Sequence, residues 1–129
     1  MIDWHEAMPL TRLLGIERVA ESPEEVRARL EWREELCTAG GVLHGGALMA
    51  LADSAAAICA FLNLPEDASG TATIQSSASF LRPVREGHVE AIARPLRVGG
   101  SVIAVETELV DAEGRAVAHV VQSQMVLRG

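Results

Sequence analysis

The run Ala47–Leu62 constrains this chain more than any other stretch. Every residue in it is apolar except Asp53 and Ser54, and neither Gly nor Pro interrupts it. Ala, Leu and Met dominate, so the run predicts a helix, and one apolar nearly all round predicts a buried helix. It is too short for a bilayer span and carries a carboxylate, so no membrane partner is expected. A carboxylate within such a helix is costly to desolvate unless it has a partner. Immediately upstream stands Gly41-Val42-Leu43-His44-Gly45-Gly46. Its two final glycines open the helix and leave the first backbone N–H groups free to meet a negatively charged oxygen. A lone acid and an anion-binding helix entry together mark a candidate active site.

The 129 residues are read as one domain, 1–129, long enough for a real core. With 49% hydrophobic and 22% charged residues the chain is ordinary for a globular protein, which argues against disorder. A net charge of −7, with the basic residues all Arg and scattered, argues against a nucleic-acid surface. Cys37 and Cys59 lie outside any metal-type spacing and are read as reduced thiols, with no metal implied. Met1-Ile2-Asp3-Trp4-His5-Glu6 has no basic segment followed by an apolar one, so no signal peptide is read and a cytoplasmic location is expected.

Pro9 opens a short predicted helix through Leu14, ended by Gly15. Ile16–Ser22 reads as a strand, and Val26, Ala28, Leu30 and Trp32 alternate with charged residues as a strand with one wet face. The chain from Arg33 to Leu43 reads as irregular. After the central helix and a loop over 65–70, only strand patterns follow: Thr71–Arg82, Val89–Leu96, Val102–Val110 and, beyond a tight turn at Asp111–Gly114, Arg115–Leu127. Gly99-Gly100 is either a hairpin turn or a place where a ligand approaches the backbone. The expected fold class is α+β, one long central helix wrapped by a curved antiparallel sheet whose edges need covering or pairing.

Helix geometry limits how the two halves of the motif cooperate. Gly45 and Asp53 are eight residues apart, roughly 12 Å along a helix axis at ~1.5 Å per residue. One carbonyl group cannot touch both within one chain. If both act on one substrate, the acid comes from one subunit and the helix entry from another, so a homo-oligomer with interfacial sites is expected.

These residues resemble the hotdog-fold acyl-CoA thioesterases, of the phenylacetate-pathway (PaaI-like) type. The likeness rests on Gly41–Gly46 and Leu51-Ala52-Asp53, and continues in Phe80-Leu81-Arg82-Pro83, Gly87, Gly99-Gly100-Ser101 and Asp111–Arg115. It spans roughly Leu10 to Arg128. The resemblance implies a hotdog fold, hydrolysis of an acyl-CoA to free acid and CoA, and no cofactor. It implies that the Gly45 N–H polarises the thioester carbonyl, and that Asp53 of the opposing subunit attacks it or activates water. His44 then shapes the thioester site, and Thr73 holds a hydroxyl near the acid. Phe80, Arg82 and Pro83, with Arg97, Gly99, Gly100 and Ser101, contact the CoA arm, while Gly46 lines the helix entry. A dimer of dimers is the assembly expected from it. Two positions depart from the pattern: Thr38 stands where many relatives carry Asn or Gln, and Ala57 where some aromatic-acyl enzymes carry Ser or Thr.

Plainer readings apply to several residues. Thr73 sits in a run of small polar strand residues, Arg82 and Arg97 are compatible with ordinary surface charge, and His5, His88 and His119 have no motif partners. The weighed alternatives are a non-catalytic acyl-CoA-binding hotdog sensor and a hotdog enoyl-CoA hydratase or dehydratase. Retention of Asp53 argues against the first, and the placement of His44 at the Gly-Gly helix entry against the second.

Overall fold

The computed structural model describes residues 2–129. Two short helices, α1 (Trp4–Ala7) and α2 (Pro9–Leu14), precede strands β1 (Glu17–Glu21) and β2 (Val26–Glu31). Two 3-10 turns, Glu34–Leu36 and Ala39–Gly41, lead into α3 (Gly45–Leu62). Strands β3 (Gly70–Phe80), β4 (His88–Val98), β5 (Val102–Asp111) and β6 (Ala116–Leu127) complete the chain. α2 begins on Pro9 and stops at Gly15, whose φ of 75° ends a helix without a Cβ penalty. α1 has no counterpart in the sequence reading, because four residues carry no periodicity; Asp3 caps it by accepting from the His5 and Glu6 N–H groups.

All six strands form one antiparallel sheet in the order β1-β2-β4-β5-β6-β3. β3 therefore crosses beyond its successors to pair with the last strand, leaving β1 and β3 as edges. Strand alternation sets the inner face. Val26, Ala28 and Leu30 of β2, Val89, Ala91 and Ala93 of β4, and Ile103, Val105 and Leu109 of β5 are buried. α3 lies across this face, and its own Ala52, Ala55, Ala56 and Ala60 are fully buried. Small residues on both surfaces bring helix and sheet close enough for interior-like packing. At the helix end, Asn63 Nδ2 donates to Cys59 O and to Pro23 O, both at 2.8 Å, tying α3 to the β1–β2 turn.

Burial of α3 corrects the sequence expectation. α3 is long and apolar enough by composition to cross a membrane, yet only half of it is buried in the fold. Gly46, Met49, Asp53 and Phe61 are exposed along one stripe, with Ala50 and Ala57 half-buried between them. Their spacing of three or four residues is that of one helix face. The curved sheet covers the opposite side and leaves this stripe open.

Candidate active site

The helix entry is built by His44. Its backbone precedes the helix in an extended conformation, and its Nδ1 accepts a hydrogen bond from the Gly46 N–H at 2.7 Å. An imidazole thus caps the helix where Ser, Thr or Asp more commonly does. With Nδ1 accepting, the neutral ring carries its proton on Nε2, and the side chain is exposed. The Gly45 N–H has no partner among the described residues, so one N-terminal donor of α3 stays open. Gly45 packs under Phe80: a Cβ there would meet the Phe80 ring at 3.4 Å. Gly45, Phe80, Arg82 and Pro83 line a cleft of about 390 Å³ together with Thr38 and Leu43.

Asp53 stands on the open stripe and is exposed, not buried as the sequence predicts. It is nonetheless well partnered. Thr73 Oγ1 and Gln122 Nε2 each donate to Asp53 Oδ1 at 2.9 Å. Gln124 Nε2 donates in turn to Thr73 Oγ1 at 2.7 Å and to Gln122 Oε1 at 2.8 Å. Gln122 Nε2 also reaches Ser76 Oγ at 3.2 Å. Asp53 Oδ2 takes no hydrogen bond from the described residues, and Asp53 lines a cleft of about 290 Å³ with Gly46, Met49, Ala50, Ser76 and Gln122. A second cleft, of about 330 Å³, lies on the other side of Gly46 and Ala50, between His44 and Leu10 and Leu14 of α2. The other nucleophile on α3, Cys59, is pushed up to about 11 by burial, so it remains a neutral thiol.

Besides the His44–Gly46 pair at the helix entry, the predicted residues fall into three groups. Gly45, Phe80, Arg82 and Pro83 converge at one cleft; Asp53 and Thr73 meet directly; Arg97, Gly99, Gly100 and Ser101 lie apart from both. The last group forms the β4–β5 hairpin, closed by the Gly99 N–H donating to Val102 O at 3.0 Å. It borders the C-terminal end of β6, where Val126 N–H donates to Ser101 O, and so sits beside the start of β3. Phe80 ends that same strand, about 33 Å away at ~3.3 Å per residue. Between the two readings of Gly99-Gly100 the structure favours the turn, since a Cβ on Gly99 would lie 2.7 Å from Val102 O. Neither Arg82 nor Arg97 forms an ion pair among the described residues, whereas Arg27, Arg29 and Arg94 are tied to Glu25, Glu90 and Glu108. Among the described residues no three His, Cys, Asp or Glu side chains gather as a metal site.

Sequence reasoning missed Gln122 and Gln124. Both are buried on the inner face of β6, at positions where the alternation of Val120 and Val126 calls for apolar side chains. That departure was the available signal: two glutamines spaced by two residues share one face of a strand. Gln124 Oε1 is buried without a partner among the described residues, an arrangement that costs about 1–3 kcal/mol.

A single long helix laid on an antiparallel sheet, with an open glycine N–H at its start and a hydrogen-bonded carboxylate on its exposed face, defines a hotdog-fold thioester hydrolase. The chain belongs to the thioesterase superfamily, whose family model matches residues 40–118. Among its relatives, SSO2140 of Saccharolobus solfataricus, which bears a provisional esterase name, is 36% identical over 107 residues, covering 81% of this chain and 75% of that protein. The structure is similar to thioesterase HI1161 of Haemophilus influenzae, with a TM-score of 0.88, 25% identity, and coverage of 99% and 92% of the two chains. It is also similar to a mutant form of the phenylacetic acid degradation protein PaaI of Thermus thermophilus, with a TM-score of 0.84, 28% identity, and coverage of 92% and 99%.

Proposed function

We propose that this thioester hydrolase cleaves acyl-CoA to the free acid and CoA at a site shared between two copies of the chain. The observation that carries the reading is the division of Asp53: Oδ1 is held by Thr73 and Gln122, while Oδ2 takes no bond from the described residues and the side chain lines an open cleft. Such a carboxylate is oriented for one task at one oxygen. Oδ2 takes the proton of a water that attacks the thioester carbon, and the carboxylate is later restored by release of that proton to the departing thiolate. The cleft leaves room for this water beside the acyl group, which favours the general-base route over direct attack by Oδ2. Negative charge developing on the carbonyl oxygen is met by the open Gly45 N–H, where the N-terminal partial charge of α3 also acts.

Gly45 and Asp53 lie roughly 12 Å apart along the axis and about 80° apart around it, so they serve one carbonyl only from different subunits. The exposed stripe of Gly46, Met49, Asp53 and Phe61 is the face that a second copy covers in this reading. The partner's approach also accounts for Arg97, Gly99, Gly100 and Ser101. Remote from the Phe80 cleft of their own chain, they reach the CoA arm only across the interface. Arg82 and Arg97, free of ion pairs, are the phosphate partners proposed.

Complementation tests the whole reading. Asp53→Asn keeps both hydrogen bonds to Oδ1 and removes the base, so it folds and loses at least about 10²-fold in kcat on a good acyl-CoA. Gly45→Pro removes the open N–H, with its folding checked by thermal unfolding. Mixed and reassembled, the two inactive proteins regain part of the wild-type rate, because half of the sites in a heterodimer are intact. Near wild-type turnover by Asp53→Asn, or full activity in a demonstrably monomeric preparation, overturns the reading.

A further inference from the structure

We propose that Gln124 is a positioning residue that orients both donors to Asp53, and so selects Oδ2 as the oxygen that meets substrate. The proposal rests on the catalytic reading of Asp53 given above, and adds a residue two bonds away from it.

The argument follows the direction of each proton. An ionised carboxylate only accepts, so the Thr73 hydroxyl and the Gln122 amide must both donate to Oδ1, as their 2.9 Å contacts allow. Thr73 Oγ1 has then spent its single proton, and Gln122 Oε1 has no proton to give. Both remain acceptors, and both are satisfied by one group: Gln124 Nε2, at 2.7 Å and 2.8 Å. Its two protons fit these two acceptors and nothing is left over. The amide cannot be turned round, because Oε1 in its place would face two oxygens with no proton between them. Gln124 is therefore the branch point from which two parallel chains, one through Thr73 and one through Gln122, converge on Oδ1.

Burial supports a role beyond packing. Gln124 is 0% exposed, and its Oε1 has no hydrogen-bond partner among the described residues. A residue kept only to fill the core there would be better served by Met or Leu, which leave no orphaned carbonyl. Buried networks of this kind fix one geometry when their members are satisfied, since every bond constrains its neighbours. Thr73 and Asp53 are both exposed and sit on separate elements, so without Gln124 the Thr73 hydroxyl is free to rotate away.

The test is Gln124→Met, which preserves volume and removes both protons. The expected result is a folded enzyme with KM changed little and kcat lowered about 10–100-fold, the scale of a misplaced catalytic group. A role confined to packing predicts an unchanged kcat. In a Thr73→Val background one of the two chains is already cut, so the further effect of Gln124→Met is smaller than in wild type. Unchanged kcat in Gln124→Met, or effects of the two substitutions that multiply fully, overturns the proposal. If Gln124→Met does not fold, NMR of the wild-type protein and Asp53→Ala decides. The side-chain amide signals of both Gln122 and Gln124 shift when the acceptor is removed; a Gln124 signal that stays in place overturns the coupling. Asp53→Asn is assayed alongside. If Asp53→Asn is fully active, the catalytic reading has failed. If it is inactive while Gln124→Met turns over normally, only the positioning proposal has failed.

Discussion

Replacing Gly46 with Ala separates holding the helix, which the His44–Gly46 bond does, from the proposed task of shaping the thioester site. A Cβ on Gly46 would lie 2.9 Å from His44 Nδ1 and 3.2 Å from its Cε1, where ordinary contact begins at 3.4 Å. The ring must therefore retreat by about 0.5 Å, which stretches the 2.7 Å cap bond to about 3.2 Å, the edge of hydrogen bonding. Losing an N-cap bond costs about 0.5–2 kcal/mol. Ala in place of Gly in a helix returns up to about 1 kcal/mol. The net change in stability is thus within about 1 kcal/mol, roughly 3–5 °C in Tm for a domain of this size. Turnover responds differently, since a displacement of about 1 Å at a substrate-contacting group can cost on the order of 10²-fold. Circular dichroism during heating and thiol release from acyl-CoA are measured on the same preparation. The expected outcome is a Tm close to wild type with kcat/KM reduced about tenfold or more. A Gly46→Ala enzyme with wild-type kcat/KM refutes the placement of the His44–Gly46 pair at the thioester carbonyl.

Asp111 gives a pH-dependent prediction. Burial pushes its carboxyl upward, but the Arg115 N–H, the Arg115 guanidinium and the Glu113 N–H outweigh burial and hold it below the ordinary carboxylate value. Its stabilising effect is therefore complete above the ordinary range and is lost as pH falls through the lowered folded-state value. Asp111→Asn should lower Tm at pH 7, and the gap should narrow as pH falls below the ordinary carboxylate range; a gap of equal size at every pH contradicts the assignment. The two thiols are expected to differ as well. Cys59, buried and raised to about 11, stays unreactive toward a disulfide reagent in the native protein, whereas half-buried Cys37 reacts. Two fast thiols before denaturation would show that the α3 core opens readily.

Local chemistry was legible in the residues taken alone. The composition of Ala47–Leu62 specifies a helix, Gly45 and Gly46 place its entry, and Pro9 and Gly15 bound α2, because capping and propensity depend on neighbours a few residues away. The alternation in β2 likewise marked its inner face before any pairing was known. The meeting of Asp53 with Thr73 was expected from family resemblance and is found as a 2.9 Å hydrogen bond. Tertiary structure alone decided the rest. Only the crossover that pairs β3 with β6 brings Thr73 and Ser76 beside Gln122 and Gln124, which are about fifty residues away in the chain. No local propensity encodes that pairing, since it depends on how a whole sheet closes over one helix. The same closure leaves Asp53 exposed: a helix apolar all round has two sides to bury, and a single sheet supplies cover for one. Whether an apolar surface is core or interface is invisible to periodicity, because burial by one's own chain and burial by a second copy select the same residues.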